Sequence, residues 1–219
     1  GGLSLAGALY GFFVLPESLP AERRAPFTLR RANPLGALRM LATHGSLLAL
    51  AGIAFLYRLA HDALPSLFVL YADYRYAWTE NDVGLALALV GVTSMVVQAG
   101  LVGRVVKRVG ERRAMLAGLT FGTLAFAVYG LAPTGGIFLS GTVIGALFGF
   151  VYPSLQGLMT RQVTASEQGR LQGALASLMG IAGVTAPLLF TQTFAAAVGP
   201  YAHLGVPGAP FLLAGVLLL

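Results

Sequence analysis

The sequence predicts an all-α integral membrane fold. It is 57% hydrophobic and 10% charged over 219 residues, with a mean hydropathy of +0.79, which lies well outside the range of a soluble domain. Apolar runs recur roughly every 30 residues, each near the ~20 residues that cross the hydrocarbon core as a helix. Basic residues concentrate in every second connection between those runs. A bundle of five or six spanning helices follows.

Taken in order, residues 1–15 are apolar but short. Residues 16–44 are Arg-rich and carry Pro16, Pro20, Pro26 and Pro34, so irregular chain is expected there, with a short interfacial helix near 35–41. Spans are expected at about 46–70, 83–103, 114–132, 136–159 and 170–198, with a truncated one at 207–219. Both ends read as cut, with most of the missing chain on the N-terminal side. The opening "GGLSLAGALYGFFVL" has neither a basic leader region nor a cleavage site, so no signal peptide is expected. There is no cysteine, which excludes a disulfide framework and thiol catalysis, and the three histidines (His44, His61, His203) are scattered. No metal site and no cofactor are expected.

The net charge of +6 is explained by topology rather than by a nucleic-acid partner. Arg23, Arg24, Arg30, Arg31 and Arg39 precede the 46–70 span; Arg104, Lys107, Arg108, Arg112 and Arg113 follow the 83–103 span; Arg161 and Arg170 bracket residues 160–169. These hold twelve of the fourteen Lys and Arg, which places 16–44, 104–113 and 160–169 in the cytoplasm by the positive-inside rule. Tyr71, Tyr74, Tyr76 and Trp78 fall just past the opposite end of the 46–70 span, where an aromatic belt is expected.

The stretch "GRVVKRVGERR" (Gly103 to Arg113) has more order than topology demands. Gly103 is expected to close a helix, Gly110 to turn with positive φ, and Arg112 with Arg113 to open the next span. Its spacing resembles the cytoplasmic loop signature of the major facilitator superfamily, with Lys107 where the signature has Asp, as in the weaker second-half copy. "FVLPES" (Phe13 to Ser18) and "PSLQGLMTRQVTASEQGRLQGALASL" (Pro153 to Leu178) resemble the end of helix 6 and the helix 10 to 11 region of tetracycline/proton antiporters. The resemblance implies the C-terminal six-helix half of that fold: the end of helix 6 at 1–15, the cytoplasmic central loop at 16–44, and helices 7–11 with a truncated helix 12 in 45–219. It implies a multi-pass protein of a bacterial inner membrane and a missing N-terminal six-helix half as partner. It further implies proton-coupled export of a lipophilic drug by alternating access, with Gly103, Lys107, Arg108, Gly110, Arg112 and Arg113 in a cytoplasmic gate. As aligned, tetracycline exporters carry a His on helix 8 and an Asp on helix 9, where this chain has Ser94 and Gly122.

Small residues mark packing seams. Gly141, Gly145, Gly149 and Pro153 recur at four-residue steps, placing one small-residue face on the 136–159 span. Gly169, Gly173, Ser177, Gly180 and Gly183, then Pro187, form a similar stripe on 170–198, and the Gly and Pro make both helices bendable. "TASEQG" predicts a capping box from Thr164 to Glu167.

Three ionisable residues lie inside the 46–70 span. Arg58, His61 and Asp62 stand at i, i+3 and i+4, on one face and one turn before Pro65. A central Arg and Asp together cost roughly 5 to 7 kcal/mol, against roughly 4 to 7 kcal/mol returned by the span's Leu, Ile, Phe and Val. That near-cancellation keeps the face off the lipid. Either Arg58 and Asp62 simply pair to reduce the cost, or the face lines a cavity where His61 or Asp62 takes a proton and Arg58 meets an anionic group. Gln98, Tyr152 and Gln156 are further polar candidates for the pathway, each equally able to hydrogen-bond between helices. No nucleophile or paired carboxylate accompanies His61 and Asp62, so an enzyme is not expected. A structural membrane piece without transport, or a transporter of another small solute, remains the alternative.

Overall fold

The computed structural model describes residues 2–14, 41 and 45–219. The expectations for the remainder of 16–44, including its interfacial helix, and for the last four residues of "FVLPES", lie outside the described residues. The chain divides after residue 33 into two units. In the first, α1 (Gly2–Phe13) is apolar throughout and has no buried residue.

The second unit is a helical bundle, and its described residues contain no strand. Five helical rods are long and apolar enough to cross a membrane: Gly45–Tyr76, Glu80–Val109, Glu111–Leu131, Gly135–Thr160 and Gln168–Val198. All five are longer than hydropathy predicted, most of all the first two, where turns carrying Tyr, Asp or Arg extend the helices at their ends. The expected 207–219 span is the short α10 (Ala209–Val216).

The first rod comprises α2 (Gly45–His61) and α3 (Ala63–Tyr76), interrupted at Asp62. Pro65 causes the interruption, since it has no N–H to offer the carbonyl of His61. Beside the break, Ser66 donates from both N–H and hydroxyl to the Asp62 carbonyl, the hydroxyl at 2.6 Å. The rod runs past residue 70 and ends at Ala77, a non-glycine residue with φ +51°, whose N–H reaches the Asp73 carbonyl. This corrects the aromatic belt. Tyr71 is fully buried and donates to the Tyr129 carbonyl at 3.3 Å, Tyr76 donates to the Ala132 carbonyl at 3.0 Å, and only Tyr74 keeps an exposed ring. A ring of Tyr71, Tyr129, Phe138 and Phe211 thus fastens α3, α10 and the third and fourth rods together, with Tyr71 edge-on to Phe211 at 4.9 Å.

The second rod starts α4 (Glu80–Met95) with a capping box: the Asp82 carboxylate accepts from the Thr79 N–H while the Thr79 hydroxyl accepts from the Asp82 N–H. It passes through a π-helical segment, Val96–Val102, into α5 (Gly103–Val109). Gly103 therefore does not close the helix, as expected from sequence, but sits inside it with φ −63°. The whole turn into α6 (Glu111–Leu131) is made by Gly110, at φ +82°. Residues 104–113 are accordingly two helix ends with a one-residue hinge between them, and Lys107, Arg108, Arg112 and Arg113 are exposed.

The fourth rod joins α7 (Gly135–Ala146) to α8 (Val151–Thr160) through a tighter 3-10 turn, Leu147–Phe150. The fifth, α9 (Gln168–Val198), runs continuously through Pro187. Within the bundle α6 is central, packed against α7 and α8 on one side and α10 on another, while α9 packs on α2 and α3. Only 11% of the α4–α5 window and 28% of the α9 window are buried, so these two rods leave the largest uncovered surfaces.

The small-residue seams divide in two. Gly141 and Gly145 face α6, where a Cβ on Gly141 would stand 2.8 Å from the Tyr129 ring. Gly149 instead faces α4–α5, its nearest neighbour being Gln98. The α9 stripe is a correction. Gly169, Gly173 and Gly180 meet nothing within 4 Å among the described residues, Ser177 bonds back to the Gly173 carbonyl, and Pro187 is exposed. The face of α9 that packs inside the bundle carries Leu171, Ala174, Leu175, Ala182, Ala186 and Phe190. The predicted box at Thr164 is also half-formed. The Glu167 carboxylate accepts from the Thr164 N–H at 3.1 Å and hydroxyl at 2.8 Å, while the Glu167 N–H reaches the Thr164 carbonyl rather than its side chain.

Candidate functional site

The break at Asp62 fixes the site. Arg58 sits one turn before it and donates Nε to Asp62 Oδ2 at 2.8 Å; His61 Nδ1 stands 3.5 Å from Asp62 Oδ1. Asp62 is turned inward, its side chain 12% exposed, while Arg58 and His61 remain 41% and 50% exposed. Gly183 of α9 faces this carboxylate: a Cβ there would lie 4.0 Å from Oδ2, at ordinary contact distance.

Arg58 and His61 open onto a cleft of about 300 Å³. Its other walls come from Ser94 and Gln98 of the second rod, Phe148, Gly149 and Tyr152 of the fourth, and Met179 of α9. Gln98 is carried by the π-helical segment, a geometry that changes the facing of side chains and recurs at functional sites. Arg104 donates to the carbonyl of Gly100 in that segment.

A second chamber of about 260 Å³ adjoins the first and shares His61, Ser94, Gly145, Ala146 and Phe148 with it. Its remaining walls are largely apolar, including Phe68, Leu87, Val90 and Phe126. Phe148 stands at the partition, 4.7 Å from the Tyr57 ring, 6.1 Å from His61 and 6.0 Å from Phe126. Its ring rests on Gly122, where a Cβ would come 2.5 Å from Cδ2.

Of the six polar residues singled out in the sequence, Arg58, His61, Gln98 and Tyr152 line the cleft. Asp62 lies behind Arg58 and is not a lining residue. Gln156 is not a lining residue either. It forms a reciprocal amide pair with Gln172, one bond at 2.9 Å and one at 3.4 Å, and donates to the Tyr152 hydroxyl at 2.8 Å, so it ties α8 to α9. Ser94 and Gly122 both line the second chamber, as does His61.

Tyr57 and Phe148 were not legible as site residues, since an aromatic in a spanning helix is ordinarily core. A second missed feature lies at the other end of α8. Arg161 Nη2 pairs with Glu111 Oε1 at 2.8 Å, and Glu111 occupies space that a side chain on Gly157 would fill. Nearby, Ser46 donates to Gln162 at 2.8 Å. These two contacts join the starts of α2 and α6 to the end of α8, and the single acid within "GRVVKRVGERR" was the available clue. No cluster able to hold a metal ion occurs among the described residues.

A sequence profile of the Major Facilitator Superfamily matches residues 1–187. The chain is similar to the class C tetracycline resistance protein of Escherichia coli, 32% identical over 200 residues, which cover 91% of this chain and 50% of that protein. It is 32% identical over 171 residues to the class G protein of Vibrio anguillarum, covering 78% and 44%. It is 24% identical over 197 residues to the human Hippocampus abundant transcript 1 protein, covering 88% and 40%. The crystal structure of the human organic anion transporter MFSD10 (TETRAN) shares the fold, with a TM-score of 0.79 at 24% identity over 98% of this chain and 53% of that one. The chain spans about half the length of the curated relatives it matches. It is thus a multi-pass, all-helical membrane chain of half-transporter size, and it belongs to the Major Facilitator Superfamily.

Proposed function

We propose that the chain is the C-terminal half of a proton-coupled exporter of lipophilic drugs, resident in a bacterial inner membrane and working by alternating access. The observation that carries this reading is the placement of Arg58, His61 and Asp62 at a helix break beside a cleft, inside a segment long and apolar enough to span a bilayer. Ionisable groups are expensive there and are retained where ions or substrates pass. The similarity to tetracycline resistance proteins supports export of a drug-like compound. Ser94 and Gly122 argue against tetracycline itself.

On this reading residues 1–15 end helix 6, 16–44 are the cytoplasmic central loop, and α2–α10 form the C-terminal bundle. The uncovered faces of α4–α5 and α9 receive the N-terminal half, which would account for Gly169, Gly173 and Gly180 having no neighbour within 4 Å among the described residues. Asp62 and His61 exchange a proton as the cleft alternates between the two sides. Gly103 to Arg113 takes part in closing the cytoplasmic side, with the Gly110 hinge and the Glu111–Arg161 pair as its moving parts.

The test uses the full-length protein in everted membrane vesicles energised with a proton gradient and offered a panel of lipophilic drugs, beside an Asp62→Asn variant of normal abundance. Drug-dependent dissipation of the gradient, lost in the variant, is expected. Dissipation unchanged in the variant removes Asp62 from the coupling path, and none with any drug removes the exporter reading.

A further inference from the structure

The two chambers meeting at Phe148 have opposite chemistry. The first presents hydrogen-bond donors and no carboxylate. Arg58 uses Nε for Asp62, and no acceptor among the described residues reaches its two terminal nitrogens. The Asp62 carboxylate holds the guanidinium through Nε, which leaves the two terminal nitrogens for a ligand. Tyr152 accepts from Gln156 through its hydroxyl oxygen, which leaves its own hydrogen to donate. The Gln98 amide has no partner among the described residues and borders the same cleft. The second chamber offers aromatic and aliphatic walls, and neither chamber is lined by Asp or Glu.

We infer that the two chambers form one bipartite site for an amphiphilic organic anion, whose acidic oxygens meet the outward edge of Arg58 with Gln98 and Tyr152 while its ring system enters the apolar chamber past Phe148. This deepens the transport reading and rests on it. Two parallel N–H donors on a pinned guanidinium fit a carboxylate or an enolate better than a neutral amide. Arg58 and Asp62 are neutral as a pair, so the preference comes from donor geometry rather than net charge. The apolar chamber, at about 260 Å³, suits a fused ring body and gives no counter-ion to a cation.

The test measures equilibrium binding of radiolabelled 2-naphthoate, 2-naphthamide and 2-naphthylmethylammonium to the full-length protein in nanodiscs, with empty nanodiscs subtracted. Naphthoate is expected to bind about tenfold more tightly than the amide, and the ammonium weakest. The double variant Arg58→Gln with Asp62→Asn, which leaves no unpaired charge, brings the naphthoate-to-amide ratio close to one. Should that variant fail to fold, Gln98→Leu and Tyr152→Phe each lower the ratio by about threefold. Val90→Trp, which fills the apolar chamber, weakens both naphthoate and amide. Equal or tighter binding of amide or ammonium, a ratio that survives loss of the donors, or indifference to Val90→Trp overturns the inference. Proton-driven export of the cation ethidium without naphthoate binding keeps the transport reading and sinks the anion site; naphthoate binding with the expected ratios but no export of any compound does the reverse.

Discussion

Arg58 and Asp62 are joined across one helical turn by a 2.8 Å bond that engages the inner edge of the guanidinium and leaves its outer edge toward the cleft. The pair stands where Pro65 has already broken the helix, so the geometry facing the cleft is set by a local bond within one rod. A shift of α9 or of the second rod can reshape the cleft without undoing it.

Asp62→Asn leaves the Arg58 cation without its counter-ion inside a membrane-spanning helix. Discounting for the partial exposure of Arg58, the expected loss is about 1 to 3 kcal/mol. Adding Arg58→Gln recovers part of it, because no orphan charge then remains. Thermal unfolding of both single variants and the double variant in detergent gives the coupling directly, and strict additivity would mean the pair contributes nothing.

Gly122→Ala forces the Phe148 ring from its seat, since the new Cβ would stand 2.5 Å from Cδ2. Overpacking of this kind costs about 1 to 3 kcal/mol. Phe148→Leu in the same chain removes the clash and is expected to restore the melting temperature. A Gly122→Ala protein as stable as the parent would show that the ring has a second resting place.

Gly141→Ala and Gly208→Ala both lower stability, for different reasons. A Cβ on Gly141 meets the movable Tyr129 ring at 2.8 Å, whereas one on Gly208 runs into the backbone of Gly130, which cannot step aside. The Gly208 change is therefore expected to cost more, with loss of α10 docking visible as faster hydrogen exchange across Ala209–Val216. Gly180→Ala meets open space among the described residues. A fall in melting temperature for that variant in the full-length protein is expected if the N-terminal half seats on α9.

Arg161→Ala breaks the pair with Glu111, but Arg161 is 75% exposed, so its loss is expected to cost less than about 1 kcal/mol and to fade at high salt. Gly157→Val is the sharper probe, because it evicts Glu111 from its niche. A lower transport rate with unchanged substrate affinity, greater for Gly157→Val than for Arg161→Ala, is the expected result in proteoliposomes; equal rates for all three proteins would reduce the contact to a surface ion pair.

Several features were readable in one dimension because each depends on residues close in the chain. The i, i+3, i+4 spacing of Arg58, His61 and Asp62 puts them on one face of any helix, and Pro65 marks the break beside them. Gly110 is found in the backbone conformation that its position between two helix-forming runs suggested. Gln156 shows the limit: an amide on α8 can face a cleft or a neighbouring helix, and only the position of Gln172 on α9 decides for the latter. The α9 glycines show it again, since small residues announce a close approach without saying which chain makes it.

By itself, then, the sequence determined the membrane-spanning helices, the turn at Gly110 and the ionisable trio, all of which follow from hydropathy and backbone chemistry over a few turns. Only the tertiary structure decided that Tyr71 belongs to the core, that Gly141 and Gly145 pack on α6 while Gly149 faces Gln98, and that Phe148 divides a polar chamber from an apolar one. The reason is physical: within lipid, an apolar side chain gains as much from hydrocarbon as from another helix, so hydrophobic pattern alone does not choose between them. That choice comes from shape and from the few hydrogen bonds that cross between helices.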